Sequence, residues 1–524
     1  MLTQNRSFGL ILMGLMSLVV FTTQALADDH RAARSEEVLL NELTDATNDL
    51  RLDADHREIR IPFTIAPSAD PQGIELLMNA VPDSAQSDGR IEAFVNRSRA
   101  VVLQPRAEPF EARFSLYSDD LRAGENTLIL RIVNPSADGW TISAQASRLR
   151  ISAAPPRGYS ALSEVEAALK ADFAAPRRVH IDAREAGEDE LAVAALVAQG
   201  LALRMGEAPI LVSDADVAEL VVTAHVRGSG APAIDLTGPS EVRLSGASPA
   251  ALIASARLFA ARSMQEHTVR FDMAAALNAP RLMRALPALN GDNQALAGLA
   301  SMGAPFGLDQ GGRAAVVITG EGEDQRNAAL SVIARAGLAS GSAWLYAWFG
   351  DDVDAAPERY DLMVLGPQEA LDPRLLAAAP VEVRAAANAA ANRTPQRRRY
   401  YGSTAFAADP SERDARITGV AALFALPEGR QVALFTAPDG ADFARAAKRL
   451  ARSELWSELD GRAALWDAAN VTHFGPSSAP RFSAEWISGQ LRAHDEWFAL
   501  GAFSLAVLLL LGSINVNRTS RRRA

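Results

Sequence analysis

The sequence predicts a multidomain chain: an N-terminal β jelly-roll, two α/β units of flavodoxin- or ferredoxin-like kind, and one C-terminal transmembrane helix. Three observations predict it. From Arg57 the text consists of short β runs broken by turn residues, and after Pro155-Pro156-Arg157-Gly158 the rhythm becomes βα. Trp497–Ile514 is an uncharged apolar run, followed at once by Arg518, Arg521, Arg522 and Arg523. A helix needs about 18–20 apolar residues to cross the hydrocarbon core at ~1.5 Å per residue.

The ends of the chain set a topology. Arg6 precedes an apolar core, Phe8–Phe21, and Ala25-Leu26-Ala27 reads as a small-x-small cleavage site, so residues 1–27 form a signal peptide. An uncleaved N-terminal anchor is the alternative and leaves the topology unchanged. At the other end Trp497 and Phe498 suit the headgroup level, and the arginines of residues 515–524 mark the cytoplasmic side. The span, residues 497–514, runs to Ile514 and places Ala502 and Ala506 on one face with Ala499. Small residues of that kind let membrane helices approach closely. The bulk of the chain is therefore expected in the periplasm, anchored in an inner membrane.

Between the ends, residues 28–56 are acidic and poor in aromatics and read as a flexible leader, with a short helix possible over Val38–Leu43. In residues 57–155 the strands fall at Ile59–Ile65, Gly73–Asn79, Ile91–Asn96, Arg113–Tyr117, Thr127–Val133 and Arg148–Ser152, a spacing that suggests a sandwich or jelly roll. Residues 156–266 form the first α/β unit. Its strands are Arg178–Ile181, Ile210–Val212, Glu219–His225, Ala233–Leu236 and Glu241–Ser245, with helices over Asp189–Met205 and Pro249–Arg262. Residues 267–312 are Gly- and Pro-interrupted and read as a connector. Residues 313–478 form the second unit: strands Ala314–Ile318, Ala343–Trp348 and Tyr360–Leu365, helix Asp324–Ala336, a hairpin around Pro427-Glu428-Gly429, helix Asp442–Leu455 and strand Arg462–Trp466. The shared strand–helix–strand opening suggests a diverged duplication, although no residue-level repeat is visible. Residues 479–496 place Trp486, Ile487 and Leu491 within about a turn and a half, as an amphipathic helix lying on the membrane or packed on its own domain would.

Composition narrows the chemistry. The chain of 524 residues has a net charge of −11 and no cysteine, which removes thiolate metal sites and cysteine nucleophiles. Its seven histidines are scattered without HExxH or HxH pairing, so no metal site is expected, and dispersed basic residues make nucleic acid an unsuitable partner. Gly320-Glu321-Gly322 sits where phosphate loops sit but lacks their remaining glycine or lysine, and its acids repel phosphate; it reads as an ordinary turn. Gly337-Leu338-Ala339-Ser340-Gly341 is no nucleophile elbow, because the serine comes one place late. Arg393-Thr394-Pro395-Gln396-Arg397 and the Asn134–Gly139 segment match cyclic di-GMP spacings in reversed order and on the wrong side of the membrane, a coincidence. No pair of acids stands out as catalytic, and no catalytic, cofactor-binding or metal-binding residue is assigned. Trp140, Trp344 and Trp348 are candidates for stacking on sugar rings, although such residues more often fill core positions.

The order of parts, with Ile417-Thr418-Gly419-Val420 through Pro438, Gly461–Trp466 and Leu121-Arg122-Ala123-Gly124-Glu125-Asn126-Thr127-Leu128, resembles the periplasmic B (regulatory) subunit family of bacterial cellulose synthase. The last motif looks like the strand entry of that family's carbohydrate-binding-like jelly-roll. The chain looks like a shortened relative, since the connector is too short to hold the family's second jelly-roll. The resemblance implies a non-catalytic subunit that docks on a membrane-embedded family-2 glycosyltransferase using UDP-glucose. It would guide a nascent cellulose or related β-glucan, with cyclic di-GMP acting at the catalytic subunit and no cofactor bound here. Two other classes stay open on the sequence: a stand-alone membrane-anchored polysaccharide-binding adaptor, and a periplasmic glycan-acting enzyme.

Overall fold

The computed structural model describes residues 33–44, 49–84, 89–103, 109–133, 139–261, 268–270, 295–401, 418–451, 453–467 and 470–475. The expected signal peptide, amphipathic helix, span and tail, with Trp497, Phe498, Ala502, Ala506 and Ile514, lie outside these residues. No helix among the described residues is long and apolar enough to cross a membrane.

The N-terminal part is a sandwich. Its elements are β1 (Arg34–Leu39), α1 (Leu40–Thr44), β2 (Leu50–Leu52), β3 (Glu58–Ile65), β4 (Asp70–Pro82), β5 (Arg90–Val95), β6 (Val101–Leu103), β7 (Phe110–Leu116), β8 (Gly124–Val133), β9 (Trp140–Ile142) and β10 (Arg148–Ala154). One sheet runs β1-β10-β4-β9-β2 with β7 also on β4, the other β3-β8-β5-β6, and every pairing is antiparallel. Alternate residues point inward: Ile74, Leu76 and Met78 on β4, Leu149 and Ile151 on β10, Leu128 and Leu130 on β8, Ile61 and Phe63 on β3. Period-two burial on both sheets puts these residues in one core between them. Asn126, buried in the Leu121–Leu128 motif, is clamped from all sides. Its Oδ1 accepts from Arg122 N at 3.1 Å and Asn96 Nδ2 at 2.9 Å, and its Nδ2 donates to Arg122 O at 2.7 Å and Gly124 O at 2.9 Å. The motif is thus a loop clamp, with Gly124 supplying the positive φ of 88° that the turn needs.

The acidic leader is not a free segment where it is described. β1 pairs along β10, and Leu40 and Leu52 are fully buried. Its charges misled because their partners are distant in sequence. Arg34 bonds Glu219 at 2.9 Å, and Glu36 accepts from the backbone N–H of Ala174 at 2.8 Å. Together with the Phe63–Phe173 edge-to-face contact and Asp172, which accepts from Thr64 N at 2.7 Å, these tie the sandwich to the following unit.

Beyond α2 (Leu162–Leu169) come two mixed sheets flanked by helices. The first contains β11 (Arg178–Asp182), α3 (Glu190–Met205), β12 (Ile210–Leu211), β13 (Leu220–Val226), β14 (Ala233–Gly238), β15 (Glu241–Gly246), α4 (Pro249–Ala261) and β16 (Thr268–Arg270). The second follows α5 (Leu296–Met302): β17 (Ala314–Ile318), α6 (Glu323–Ala339), β18 (Trp348–Gly350), β19 (Asp361–Pro367), α7 (Pro373–Ala378), α8 (Val381–Tyr401), β20 (Gly419–Ala425), β21 (Gln431–Ala437), α9 (Gly440–Leu450), α10 (Ser453–Ser457), β22 (Ala463–Trp466) and β23 (Val471–Phe474). The strand orders are β12-β11-β13-β15-β14-β16 and β18-β17-β19-β21-β20-β22-β23. Matched strand for strand, order, direction and connectivity agree, with β23 and the α7–α8 insertion added in the second. The duplication is therefore topological, even without a repeated text.

The two units meet through equivalent helices. Glu190 in the first turn of α3 pairs with Arg326 in the first turn of α6, so the helices run side by side in parallel. α3 also touches β18 while α6 touches β12, the reciprocal pattern of a two-fold interface. Gln199 lies at its centre, fully buried: Oε1 accepts from Trp344 N at 2.8 Å, and Nε2 donates to Ala195 O at 3.2 Å. Gly337 is required there, since a Cβ would sit 2.7 Å from Gln199 Oε1.

Two further expectations change, and one helix is added. The connector is in part structure: β16 joins the first sheet, and α5 carries buried Leu296 and Leu299, with Leu296 N bonding Gly461 O at 2.9 Å. Its small residues hid the apolar ones that matter, and residues 271–294 lie outside the description. The strand expected over Ala343–Trp348 starts only at Trp348, because Ala343 and Trp344 are buried in the loop under the interface. Helix α8, which the sequence reading passed over, covers the far face of the second sheet with small residues, Val383, Ala386 and Ala390.

One buried ion pair joins α2, α3 and α4. Arg204 donates to Glu166 at 2.7 Å, to Gly200 O at 2.7 Å and to Phe259 O at 2.6 Å. Burial raises the Glu166 pKa, but Arg204 and Lys170 outweigh it and hold the carboxyl below its ordinary value. A depressed carboxyl contributes stability that is present above the unfolded pKa of about 4.3 and lost as pH falls through the folded value. Glu166→Gln should therefore cost about 3 kcal/mol at pH 7, because it strands a buried guanidinium. In urea titrations the gap to wild type should close in acid; a gap independent of pH contradicts this assignment.

Candidate functional site

The outward face of the first sandwich sheet carries an open groove of about 320 Å³. It follows from register. Ser35, Ser152 and Gly73 stand side by side across β1, β10 and β4, and the next outward row is Glu37, Arg150, Glu75 and Ser115, reaching β7. Small residues in the first row leave a low floor, and the charged row forms a wall. Gln72 and Ser118 complete the polar lining.

Polar groups in the groove are partly paired with one another. Ser35 Oγ and Ser152 Oγ share a hydrogen bond of 2.6 Å. Arg150 spans the wall, 2.5 Å from Glu37 and 3.4 Å from Glu75, and Arg148 at 3.5 Å from Glu37 and Arg113 at 3.9 Å from Glu75 make three guanidiniums that share two carboxylates. Of these charged groups Arg150 and Glu75 line the groove itself, with the hydroxyls of Ser35, Ser115, Ser118 and Ser152. A hydroxyl both donates and accepts. Such a set is matched by a ligand rich in hydroxyls.

Among the described residues no histidine lines the groove. The histidine rings described are engaged elsewhere: His180 with Val212 O at 3.0 Å, His225 with Glu185 at 2.7 Å, His473 with Glu458 O at 2.7 Å and His56 with Asp53 at 3.3 Å. Among the described residues no three His, Cys, Asp or Glu side chains are grouped to hold a metal.

Two of the tryptophans proposed for sugar stacking are excluded from it. Trp140 and Trp344 are fully buried, the first edge-on to Phe110, the second stacked on Phe306 at 6.1 Å. Trp348 is half-buried on edge strand β18, its ring lying across Gly350, whose Cβ would fall 2.2 Å from it. It is in the second α/β unit, away from the groove. Gly320 leaves room for Gln325, whose Oε1 would be 2.4 Å from a Cβ there, so a side chain occupies the place a phosphate would take. Residues 134–138 lie outside the described residues, as do the side chains of Arg393 and Arg397.

Sequence reasoning missed every lining residue of the groove. The available signal was the recurrence of serine at outward positions of three strands, with a glycine inside a fourth. Only pairing register brings these into one row.

No family model and no curated protein sequence matches the chain. Among solved structures, it is similar over short stretches to dimeric latent PorU from Porphyromonas gingivalis, at 7% identity and TM-score 0.18 over 24% of this chain and 13% of that one. The CBM36-1 domain of a multidomain xylanase from the hindgut metagenome of Trinervitermes trinervoides matches at 9% identity and TM-score 0.16, over 22% of this chain and 96% of that one. A family 35 carbohydrate-binding module from an environmental isolate matches at 17% identity and TM-score 0.15, over 23% and 85%. Likeness at this level carries no argument about what this chain does.

The buried indoles differ in one testable respect. Trp344 Nε1 donates to Ser340 Oγ at 2.9 Å, whereas Trp140 Nε1 has no acceptor among the described residues. Both changes to phenylalanine remove similar volume, so Trp344→Phe should destabilise by about 1 kcal/mol more than Trp140→Phe, one hydrogen bond's net worth. Chemical denaturation measures this, and equal losses would show that the Ser340 bond contributes nothing.

Proposed function

We propose that this protein is a non-catalytic, inner-membrane-anchored subunit of a β-glucan synthase complex. Its sandwich groove contacts the glycan emerging from a family-2 glycosyltransferase. The observation that carries this reading is the groove itself: a row of small hydroxyl-bearing residues beside an Arg150 fork, on the open face of a sandwich. Hydroxyl-to-hydroxyl contacts exchange readily with water, and each contributes about 1 kcal/mol net. A surface of this kind holds a polymer weakly enough for it to slide.

The remaining parts fit the same task. Trp497–Ile514 anchors the chain, with Ala502 and Ala506 on the face that approaches the synthase helices. The duplicated α/β pair links anchor and sandwich. Cyclic di-GMP control belongs to the catalytic subunit in this reading, since its site would lie across the membrane.

The experiment is co-purification with a processive family-2 glycosyltransferase of the same organism, and polymer synthesis in membrane vesicles. The wild-type chain should be captured. Ala502→Leu with Ala506→Leu should remain in the membrane yet lower capture and synthesis several-fold. Glucan binding without capture would favour a free-standing adaptor. Release of reducing ends by the purified protein would make it an enzyme.

A further inference from the structure

We propose that the carboxyl ends of the parallel strands face away from the membrane, so that the sandwich lies on the membrane side of the two α/β units. This rests on the membrane-anchored reading above and adds an orientation to it. α3 and α6 run side by side from paired first turns, so the carboxyl ends of β11, β12, β13, β17, β18 and β19 share one edge. The sandwich is joined at the opposite, amino edge. There Arg34 reaches Glu219 at 2.9 Å, just before β13, and Tyr159 N donates to Pro239 O, just before β15. The chain also leaves at the amino edge. After β21 the strands β20, β22 and β23 alternate in direction, so β23 ends beside Arg462, whose backbone N–H donates to Phe474 O at 3.1 Å.

Charge separates the two edges. The segments that leave β11, β17 and β18, residues 182–190, 320–324 and 351–354, hold eleven carboxylates and one arginine, in a chain of net charge −11. Asp182, Glu190, Asp324 and Asp354 each pair with an Arg or Lys, and those four cations leave an excess of seven negative charges. Glu190, Glu323 and Asp324 suit the first helical turns they occupy. Glu321, Asp351 and Asp352 lie outside any helix and are exposed. Where the sandwich joins the amino edge the charges cancel, since Arg34, Arg177 and Arg178 share Glu36, Glu207 and Glu219. An anionic headgroup layer repels the carboxyl edge within about a Debye length, ~8 Å in physiological salt. The twenty-one residues between Gly475 and Trp497 can extend to roughly 70 Å. The tether alone therefore permits either edge to approach the bilayer, and the repulsion selects the amino edge. A polymer leaving the bilayer then meets the sandwich before the α/β units.

The test places one cysteine in a chain that has none: Glu188→Cys on the carboxyl edge, Glu428→Cys on the amino edge or Arg60→Cys on the sandwich, all exposed positions. Each full-length variant carries a spin label and is inserted into nanodiscs of phosphatidylglycerol containing a nickel-chelating lipid. Relaxation by nickel should be about threefold stronger at 428 than at 188, and stronger at 60 than at 188. Adding Glu321→Gln, Glu323→Gln, Asp351→Asn and Asp352→Asn should narrow the difference, and so should high salt. Equal relaxation at the three sites, or the strongest at 188, would overturn the orientation while leaving the anchor intact. A difference unmoved by the neutral substitutions and by salt would overturn charge as its cause. A chain that fails to enter the discs would overturn the anchored reading, and the orientation with it.

Discussion

The buried carboxamide of Gln199 sets the condition on which the larger architecture depends. Two α/β units pack through α3 and α6, and a polar group between them is tolerable only if hydrogen-bonded, since a lost buried bond costs about 1–3 kcal/mol. Gln199 is satisfied from both units: Ala195 from its own helix and the Trp344 backbone from the other. Its position in turn forces glycine at 337 and fixes the loop that buries Trp344. The reciprocal contacts of α3 with β18 and α6 with β12 make this joint resemble a dimer interface carried within one chain.

The unequal outer faces of the two sheets follow from what covers them. On the second sheet Val317, Leu362, Val364 and Leu434 form a separate core beneath α8. On the first, Arg178, Thr223 and Arg243 face outward, paired with Glu219 or Glu241. A mostly parallel sheet usually has both faces covered. Here the polar face is matched instead by ion pairs, which contribute little stability but keep the surface soluble.

Much of this was legible in the sequence where period and punctuation agree. Strands β3, β4, β5, β7, β8 and β10 were placed within a few residues because one face of each is apolar, and the hairpin around Pro427-Glu428-Gly429 was found intact. β1 was not legible, because its charges read as solvation until Glu219 is brought beside Arg34 from 185 residues away. Helix α8 was missed because alanine, asparagine and arginine give its core face no contrast. Tryptophan proved an ambiguous signal: Trp140 and Trp344 are core, and the groove is built from serine, glycine and an Arg–Glu row. Such residues mean little singly, and the pairing that assembles them is non-local.

The account holds that the sandwich and the duplicated units form one body. The chain contains no cysteine, so spin labels can be placed without removing any. Arg60 on the sandwich and Glu369 in the second α/β unit are both exposed. Labels at Arg60→Cys and Glu369→Cys should give a single narrow distance distribution by electron double resonance, unchanged by cellohexaose. A broad or two-peaked distribution, or one that shifts when sugar is added, would contradict the one-body account.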